Sequence, residues 1–149
     1  MSRSSFPMVQ IERQDHRRLK EIARTAERDG HPTAPFLLAE IRRAQVFDHA
    51  LVEETVGLNK QVSFRIDFGP TRRRLFVLPD HYSNSEFEVS VLSPVGAAML
   101  GLRKGDRMPY RDIFGALHFV TIMDVEPLRP NFTAGAGPQD PPDPGPQAA

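Results

Sequence analysis

The fold of this chain is decided by residues 89–106, which read VSVLSPVGAAMLGLRKGD. The first residues of this stretch have the apolar alternation of a strand, and a capped helix follows them. Ser93 is a favoured N-cap residue, Pro94 suits the first helical turn and Gly101 suits the C-terminal end. Gly105 begins a turn into the next strand. Because the helix is rich in small residues, it can lie close against a sheet.

Five strands are predicted around this helix. Residues 62–68 and 87–92 alternate between apolar and polar side chains, which is the period of a half-buried strand. The other three strands are expected at 75–78, 107–110 and 117–125. Turn residues separate the strands, so we expect them to pair antiparallel. An antiparallel sheet with one short helix makes this part of the chain an α+β domain.

The first third of the chain is predicted to be helical. No Gly or Pro interrupts residues 15–29. The apolar residues that recur on one helix face there are Leu19, Ile22, Ala23 and Ala26. Gly30 ends this helix, and Pro32 opposes its continuation.

A second helix is expected from Thr33, a favoured N-cap residue, to about Phe47, with Pro35 in its first turn. One side of it carries Leu37, Leu38, Ile41, Ala44 and Gln45. Two helices joined by a turn of about four residues form an antiparallel hairpin. Arms of roughly 14 residues are about 20 Å long.

The chain is expected to divide into a helical hairpin at 1–52, a β-rich domain at 53–128 and a tail at 129–149. Residues 128–149 hold six of the fourteen prolines and little apolar bulk. Such a segment cannot bury enough surface to offset the entropy of ordering it. We expect a disordered tail rich in Pro and Gly, with polyproline character around residues 141–142.

The composition excludes several classes of protein. The 149 residues include 19 basic and 19 acidic side chains and no cysteine. Zero net charge speaks against direct nucleic-acid binding, which draws on a basic excess. A chain without cysteine has no disulfide, cysteine zinc site or thiol catalysis, and it fits a reducing cytosol. Because neither a membrane span nor a signal peptide is recognisable, we expect a cytoplasmic protein without membrane attachment. We also expect a monomer.

The residues by themselves indicate neither a metal site nor a catalytic set. The five histidines show no ligand spacing, so no metal and no cofactor are expected. Asp80, His81 and Tyr82 are adjacent, and adjacent side chains on an extended chain point apart, so a surface loop is expected there. The basic run 72–74 is interpreted as a solvated strand edge. A contact to phosphate or to an acidic protein surface is the alternative.

Three blocks of the sequence resemble, in order, the Rnk proteins, a family named as regulators of nucleoside diphosphate kinase. Residues 38–45 (LAEIRRAQ) resemble the end of the second helix in that family, and residues 58–65 (LNKQVSFR) resemble its entry into the first strand. Residues 93–106 resemble its signature. The resemblance covers roughly residues 10–127, and the C-terminal domain also resembles that of the Gre transcript-cleavage factors.

The resemblance implies a short N-terminal antiparallel coiled coil on an FKBP-like domain. It also implies that the protein binds bacterial RNA polymerase near the secondary channel and catalyses no reaction itself. Ser93 and Pro94 match the Ser-Pro element of the Gre factors, which lies on the face that docks on the polymerase. The expected polymerase contact comprises Ser93, Pro94, Val95 and Gly96. The expected second contact, at the hairpin tip, comprises Asp29 and His31.

Other functions stay open. A Gre-like factor stimulates transcript cleavage with two tip carboxylates that hold a catalytic magnesium; this tip offers Asp29, but it has no Asp-x-x-Glu pair and its arms are short. An adaptor would bind another partner through the tail or residues 72–74. Prolyl isomerase activity needs an aromatic-lined pocket, and the domain has no Trp and only Tyr82 and Tyr110 as tyrosines. The effect on the kinase that the family name implies is either direct or exerted through expression.

Overall fold

The computed structural model describes residues 6–48 and 55–126. The helices and strands of this part are, in chain order, β1 (Gln10–Glu12), α1 (Arg13–Arg28), α2 (Ala34–Arg43), β2 (Gln45–Phe47), β3 (Gln61–Ile66), β4 (Thr71–Val77), β5 (Glu88–Ser90), α3 (Pro94–Met99), β6 (Arg107–Arg111) and β7 (Leu117–Glu126). A short 3-10 helix at Pro79–His81 lies between β4 and β5. The expected domain boundary at residue 52 and the expected tail fall outside the described residues.

The first helix of the predicted hairpin forms as expected. The fully buried residues of α1 are Leu19, Ala23 and Ala26. Ile22 is partly buried against the same core. Gly30 ends the helix with a φ of +77°, a conformation that glycine adopts without strain, and His31 N donates to the Ala26 carbonyl oxygen.

The second helix is shorter than predicted. It ends at Arg43 rather than near Phe47, because Ala44 is extended at φ −71° and ψ 148°. The prediction was therefore wrong for Gln45–Phe47, which form β2 and pair in parallel with β1. This pairing closes the base of the hairpin. The apolar period of the helix also fits Ala44, and the local sequence does not indicate that β1, which is distant in the chain, will pair with this segment.

Five strands form the second sheet, in the order β5-β4-β3-β7-β6. Their neighbours pair antiparallel as predicted, except that β5 is parallel to β4. Antiparallel pairing was wrong for β5 because the chain crosses over through the 3-10 helix and the loop behind it instead of turning back as a hairpin. The α+β class is confirmed.

A single apolar core joins the hairpin to this sheet. Leu37 of α2, Ala97 of α3 and Phe64 of β3 are buried in the same cluster. α3 contacts α2 on one side and β6 and β7 on the other, so it lies between the hairpin and the sheet. Burial of one large apolar side chain is worth about 1.5–3 kcal/mol, so several of them hold the hairpin firmly along the domain.

Two glycines permit this close packing around α3. A Cβ on Gly96 would overlap the carbonyl oxygen of Ser90, so no side chain fits at that position. Gly101 has a φ of +74°, and its carbonyl oxygen accepts a hydrogen bond of 3.0 Å from Gln10 N. The C-terminal end of α3 is therefore fastened to the base of the hairpin.

Candidate functional site

The start of α3 is held by a network of short hydrogen bonds. Gly96 N donates to Ser93 Oγ at 3.0 Å, which confirms Ser93 as the N-cap. The same hydroxyl donates to the Ser90 carbonyl oxygen at 2.7 Å, and Leu92 N donates to Ser90 Oγ at 3.1 Å. Ser93, Pro94 and Val95 are half-buried, whereas Gly96 is buried. Gly96 thus positions its neighbours, and the accessible surface of this element belongs to the three residues before it.

The turn between α1 and α2 forms the tip of the hairpin. Asp29 is exposed there, and His31 is half-buried. Thr33 occupies the N-cap position of α2 as predicted, although its backbone is already helical and its side chain makes no capping hydrogen bond. Thr33 N instead donates to Nδ1 of His31 at 3.1 Å. His31 therefore stabilises the turn from inside, and Asp29 is the outward-facing group of the pair.

An apolar cleft of about 520 Å³ separates the hairpin tip from the β6–β7 turn. We call it the proline cleft, because it is lined by Pro32, Pro94 and Pro109, together with the aromatic rings of Phe6, Phe36 and Tyr110. The structure thus brings the start of α3 and the hairpin tip to one place, although 61 residues separate Pro32 from Pro94. Asp29 and His31 do not line the cleft, but they are close in sequence to Pro32, which does.

A smaller cleft of about 230 Å³ lies on the other side of Ser93. We call it the arginine cleft, because Arg72 and Arg74 line it together with Ser93 and Val95. The basic run 72–74 belongs to strand β4, so its side chains alternate between the two faces of the sheet. Arg73 points the other way and forms a bidentate ion pair with Glu126, with an Nη2–Oε2 distance of 2.7 Å.

One histidine that the sequence did not single out links two turns beside the proline cleft. Nδ1 of His118 lies 2.7 Å from Asp67 Oδ2, and its Nε2 lies 2.8 Å from Asp112 Oδ2. The ring packs at 5.5 Å on that of Tyr110. Asp67 follows β3 at a φ of +54°, and Asp112 belongs to the β6–β7 turn. Sequence spacing could not reveal this cluster, because the pairing of β3 with β7 is what brings Asp67 to His118.

In this cluster, the His118 clamp, the pKa of each member is shifted by the other members. The two carboxylates, led by Asp67, raise the pKa of His118 above its ordinary value by hydrogen bonding to the ring. The same bonds, with backbone N–H groups from Phe119 and from Ala116, lower the pKa of Asp67 and of Asp112. These shifts favour the imidazolium form of His118, in which each ring nitrogen donates to one carboxylate and links the two turns. Ile113 and Leu117, which line the proline cleft, belong to one of them.

The rest of the described surface includes a further cleft of about 360 Å³, lined mostly by charged side chains of α1 such as Arg13, Arg17 and Arg24. Within residues 6–48 and 55–126, no three His, Cys, Asp or Glu side chains come together as ligands of a metal ion would. Asp80, His81 and Tyr82 lie exposed around the 3-10 helix, which confirms the predicted surface loop. In the same described ranges, no helix is long and apolar enough to cross a lipid bilayer.

A short helical hairpin on a curled sheet, with a capped helix between them, defines a Gre-like fold. Residues 51–127 match the family described as "Transcription elongation factor, GreA/GreB, C-term", and residues 7–46 match "Rnk N-terminus". A solved structure with 31% identity, the "Prokaryotic transcription elongation factor GreA/GreB from Nitrosomonas europaea", superposes with a TM-score of 0.64 over 79% of this chain and 98% of that one.

The chain belongs to the Rnk family. It is 32% identical over 124 residues to the "Regulator of nucleoside diphosphate kinase" of Escherichia coli strain K12, a match that covers 82% of this chain and 91% of that protein. The relative of the same name from Shigella flexneri matches equally well. Both relatives are named as regulators. The family predicted from three short sequence blocks is therefore confirmed.

Proposed function

We propose that this protein is a non-catalytic regulator that binds bacterial RNA polymerase near the secondary channel. Ser93, Pro94 and Val95 form the main contact, positioned by Gly96, and Asp29 and His31 at the hairpin tip form the second. The observation that carries the proposal is the proline cleft, since it joins the Ser-Pro element to the hairpin tip. The Gre-like fold and the Rnk family support the choice of partner.

A rigid element is what a docking contact requires. The start of α3 is fixed by the Ser93 and Ser90 hydroxyls, so Pro94 is presented without loss of side-chain or backbone freedom on binding. The hairpin tip lies across the same cleft. One surface of a partner can therefore touch the tip and the Ser-Pro element together.

The dimensions of the hairpin favour a regulator over a cleavage factor. α1 has 16 residues and α2 has 10, which makes them about 24 Å and 15 Å long. α2 packs along α3 for part of that length, so little of the hairpin projects beyond the domain. Asp29 and Glu27 are the exposed carboxylates of the tip, and they lie too close to the domain to reach a distant active site.

Co-purification with core RNA polymerase tests the proposal. The wild type should associate, and Pro94→Ala should weaken the association about tenfold, because the ring lies at the centre of the contact. Pro79→Ala is the matched control, since Pro79 also opens a short helix but lies away from both clefts. Failure of the wild type to associate would contradict the proposal. Binding of Pro94→Ala as tight as that of the wild type would show that the contact lies elsewhere.

A cleavage assay on backtracked polymerase separates the regulator from a Gre-like cleavage factor. We expect no stimulation of transcript cleavage by the wild type. Stimulation that disappears in Asp29→Asn and survives in the neighbouring Glu27→Gln would assign the cleavage role instead. A role as an adaptor for another partner is favoured only if the wild type does not bind polymerase.

The name of the relatives makes nucleoside diphosphate kinase a second candidate target. We infer an effect through transcription, because the clefts form on a fold shared with transcription factors. Adding the purified protein to purified kinase should leave the kinase rate unchanged. A change in that rate would establish a direct contact.

A further inference from the structure

The proline cleft has the chemistry of a site for an extended, proline-rich peptide. Phe6, Phe36 and Tyr110 supply flat apolar surfaces, and the prolines between them remove backbone donors that would otherwise need a polar partner. Aromatic-lined grooves of this kind bind polyproline II segments, which are already extended and so lose little entropy on binding. A volume of about 520 Å³ suits a few residues of such a segment.

The chain itself carries a segment of this composition. Residues 138–146 read PQDPPDPGP, in which Pro138, Pro141 and Pro144 recur at every third position. A polyproline II helix has three residues per turn, so these three rings would share one face. Asp140 and Asp143 have the same spacing and would share a second face.

Charge at the cleft agrees with this segment. Arg111 lines the cleft and is exposed, and its guanidinium donates to the Gly115 carbonyl oxygen at 2.9 Å. The only carboxylate among the lining residues, that of Asp112, is bound by His118 and by two backbone N–H groups. The accessible charge at this edge is therefore positive, opposite to that of Asp140 and Asp143.

The connecting chain is long enough to reach the cleft. β7 starts at Leu117, which lines the cleft, and its ten residues end at Glu126. The strand therefore carries the chain about 30 Å away from the cleft. Twelve residues lead from Glu126 to Pro138, and they span up to about 40 Å when extended. The segment can return along its own domain without strain.

From these observations we infer that residues 138–144 bind in the proline cleft of the same molecule, with the proline face against the rings and the aspartate face toward Arg111. The site then has an internal ligand. Because Pro94 lines the cleft, the bound segment covers part of the proposed polymerase contact. That last consequence rests on the proposed function, whereas the binding itself does not.

Amide NMR spectra of the full chain test the binding without polymerase. Replacing Pro138, Pro141 and Pro144 by Ala should shift the resonances of Thr33, Arg111 and Leu117 at the cleft. Resonances on the opposite face of the sheet, such as Thr121, should stay in place. The matched control replaces Pro130, Pro142 and Pro146, three prolines outside the three-residue spacing. Unmoved cleft resonances in the first variant, or equal shifts in both, would overturn the inference.

A synthetic peptide of residues 134–147 completes the test. Added to the first variant, it should restore the shifted resonances, and Ile113→Ser in the cleft should weaken it at least fivefold. Phe68→Ser is the control, because Phe68 is also a large exposed apolar residue on a turn, but it lies outside the cleft. Sensitivity to Phe68→Ser alone would place the peptide elsewhere and overturn the site. Wild-type shifts that vary on fiftyfold dilution would show binding between molecules and overturn the intramolecular assignment.

Discussion

The two clefts beside Ser93 differ in chemistry although one helix start forms a wall of both. The proline cleft is apolar, lies against the hairpin tip and is flanked by the His118 clamp. The arginine cleft is lined by Arg72, Arg74 and polar side chains of β5 and its loop, together with apolar side chains such as Phe64, Ile66 and Val89, so charge is added to an apolar surface there. Apolar surface contributes to the lifetime of a complex, whereas charge contributes to its rate of formation. We therefore expect the two sides of one docking element to be separable by mutation.

The largest effect is expected from Gly96, because it positions its neighbours Pro94 and Val95, each of which lines one of the clefts. Gly96→Ala should lower the free energy of unfolding by about 3 kcal/mol, since the new methyl group would overlap the Ser90 carbonyl oxygen and displace α3. Urea denaturation measures this. Gly57→Ala is the control and should be nearly neutral, because its Cβ would meet only ordinary contacts. A stable Gly96→Ala protein would mean that α3 is not held as described.

Removal of the Ser93 N-cap should destabilise the start of α3, which borders both clefts, less than Gly96→Ala does. Ser93→Ala should cost about 1 kcal/mol in the free energy of unfolding, because the Gly96 amide loses its acceptor. Ser83→Ala, which removes a long and exposed hydroxyl contact to Glu88, should cost almost nothing. Equal losses in the two variants by urea denaturation would contradict the role of Ser93.

The His118 clamp makes the proline cleft sensitive to pH. The folded state raises the pKa of His118 above its ordinary 6.5, so the stability from the bridge is full below that value and is lost as pH rises through the raised pKa. The carboxyls of Asp67 and Asp112 have lowered pKa values, so their contribution is lost only as pH falls below 3.8, through those lowered values. Tyr110, with its pKa raised to about 12, stays neutral throughout.

Thermal unfolding from pH 5 to pH 9 checks the clamp. We expect a decline in the melting temperature on the alkaline side that is absent in His118→Gln. NMR titration of the His118 ring should give a pKa above its ordinary value. A His118 ring that titrates at or below its ordinary value would contradict the stabilising hydrogen bonds to Asp67 and Asp112.

The smallest effect on stability, and a selective one on binding, is expected in the arginine cleft. Arg72→Gln should change the free energy of unfolding by less than about 0.5 kcal/mol, yet slow association with polymerase about twofold to fivefold at low salt. Arg73→Gln should leave the association rate unchanged, because Arg73 lies on the other sheet face and pairs with Glu126. Stopped-flow association separates them, and equal rates for both variants would deny the cleft a steering role.

Much of the fold could be predicted because its signals are local. Ser93, Pro94 and Gly101 mark the limits of α3 within nine residues, and Gly30 ends α1 where the apolar period stops. The family could be recognised from the same short blocks. The errors, at Gln45–Phe47 and β5, both concern strands in parallel pairs, whose partners are distant or reached by a crossover.

The residues of the candidate site could be predicted from the sequence, but the cleft in which they meet could not. Ser93 to Gly96 and the hairpin tip were named from the sequence, but their meeting in one cleft depends on the packing of α2 along α3. His118 was noted only as a histidine without ligand spacing. Its partners come from two turns that the β3–β7 and β6–β7 pairings bring together.

The sequence by itself determined where α1 and α3 begin and end, which faces are apolar and where glycine is required, because capping, periodicity and positive φ act within a few residues. Tertiary structure alone decided the end of α2, the direction of β5, the His118 clamp and the division of one Ser-Pro element between two clefts. Each of these depends on contacts between residues distant in the chain. Such contacts form only when a shared core fixes the register of the strands and the position of the hairpin.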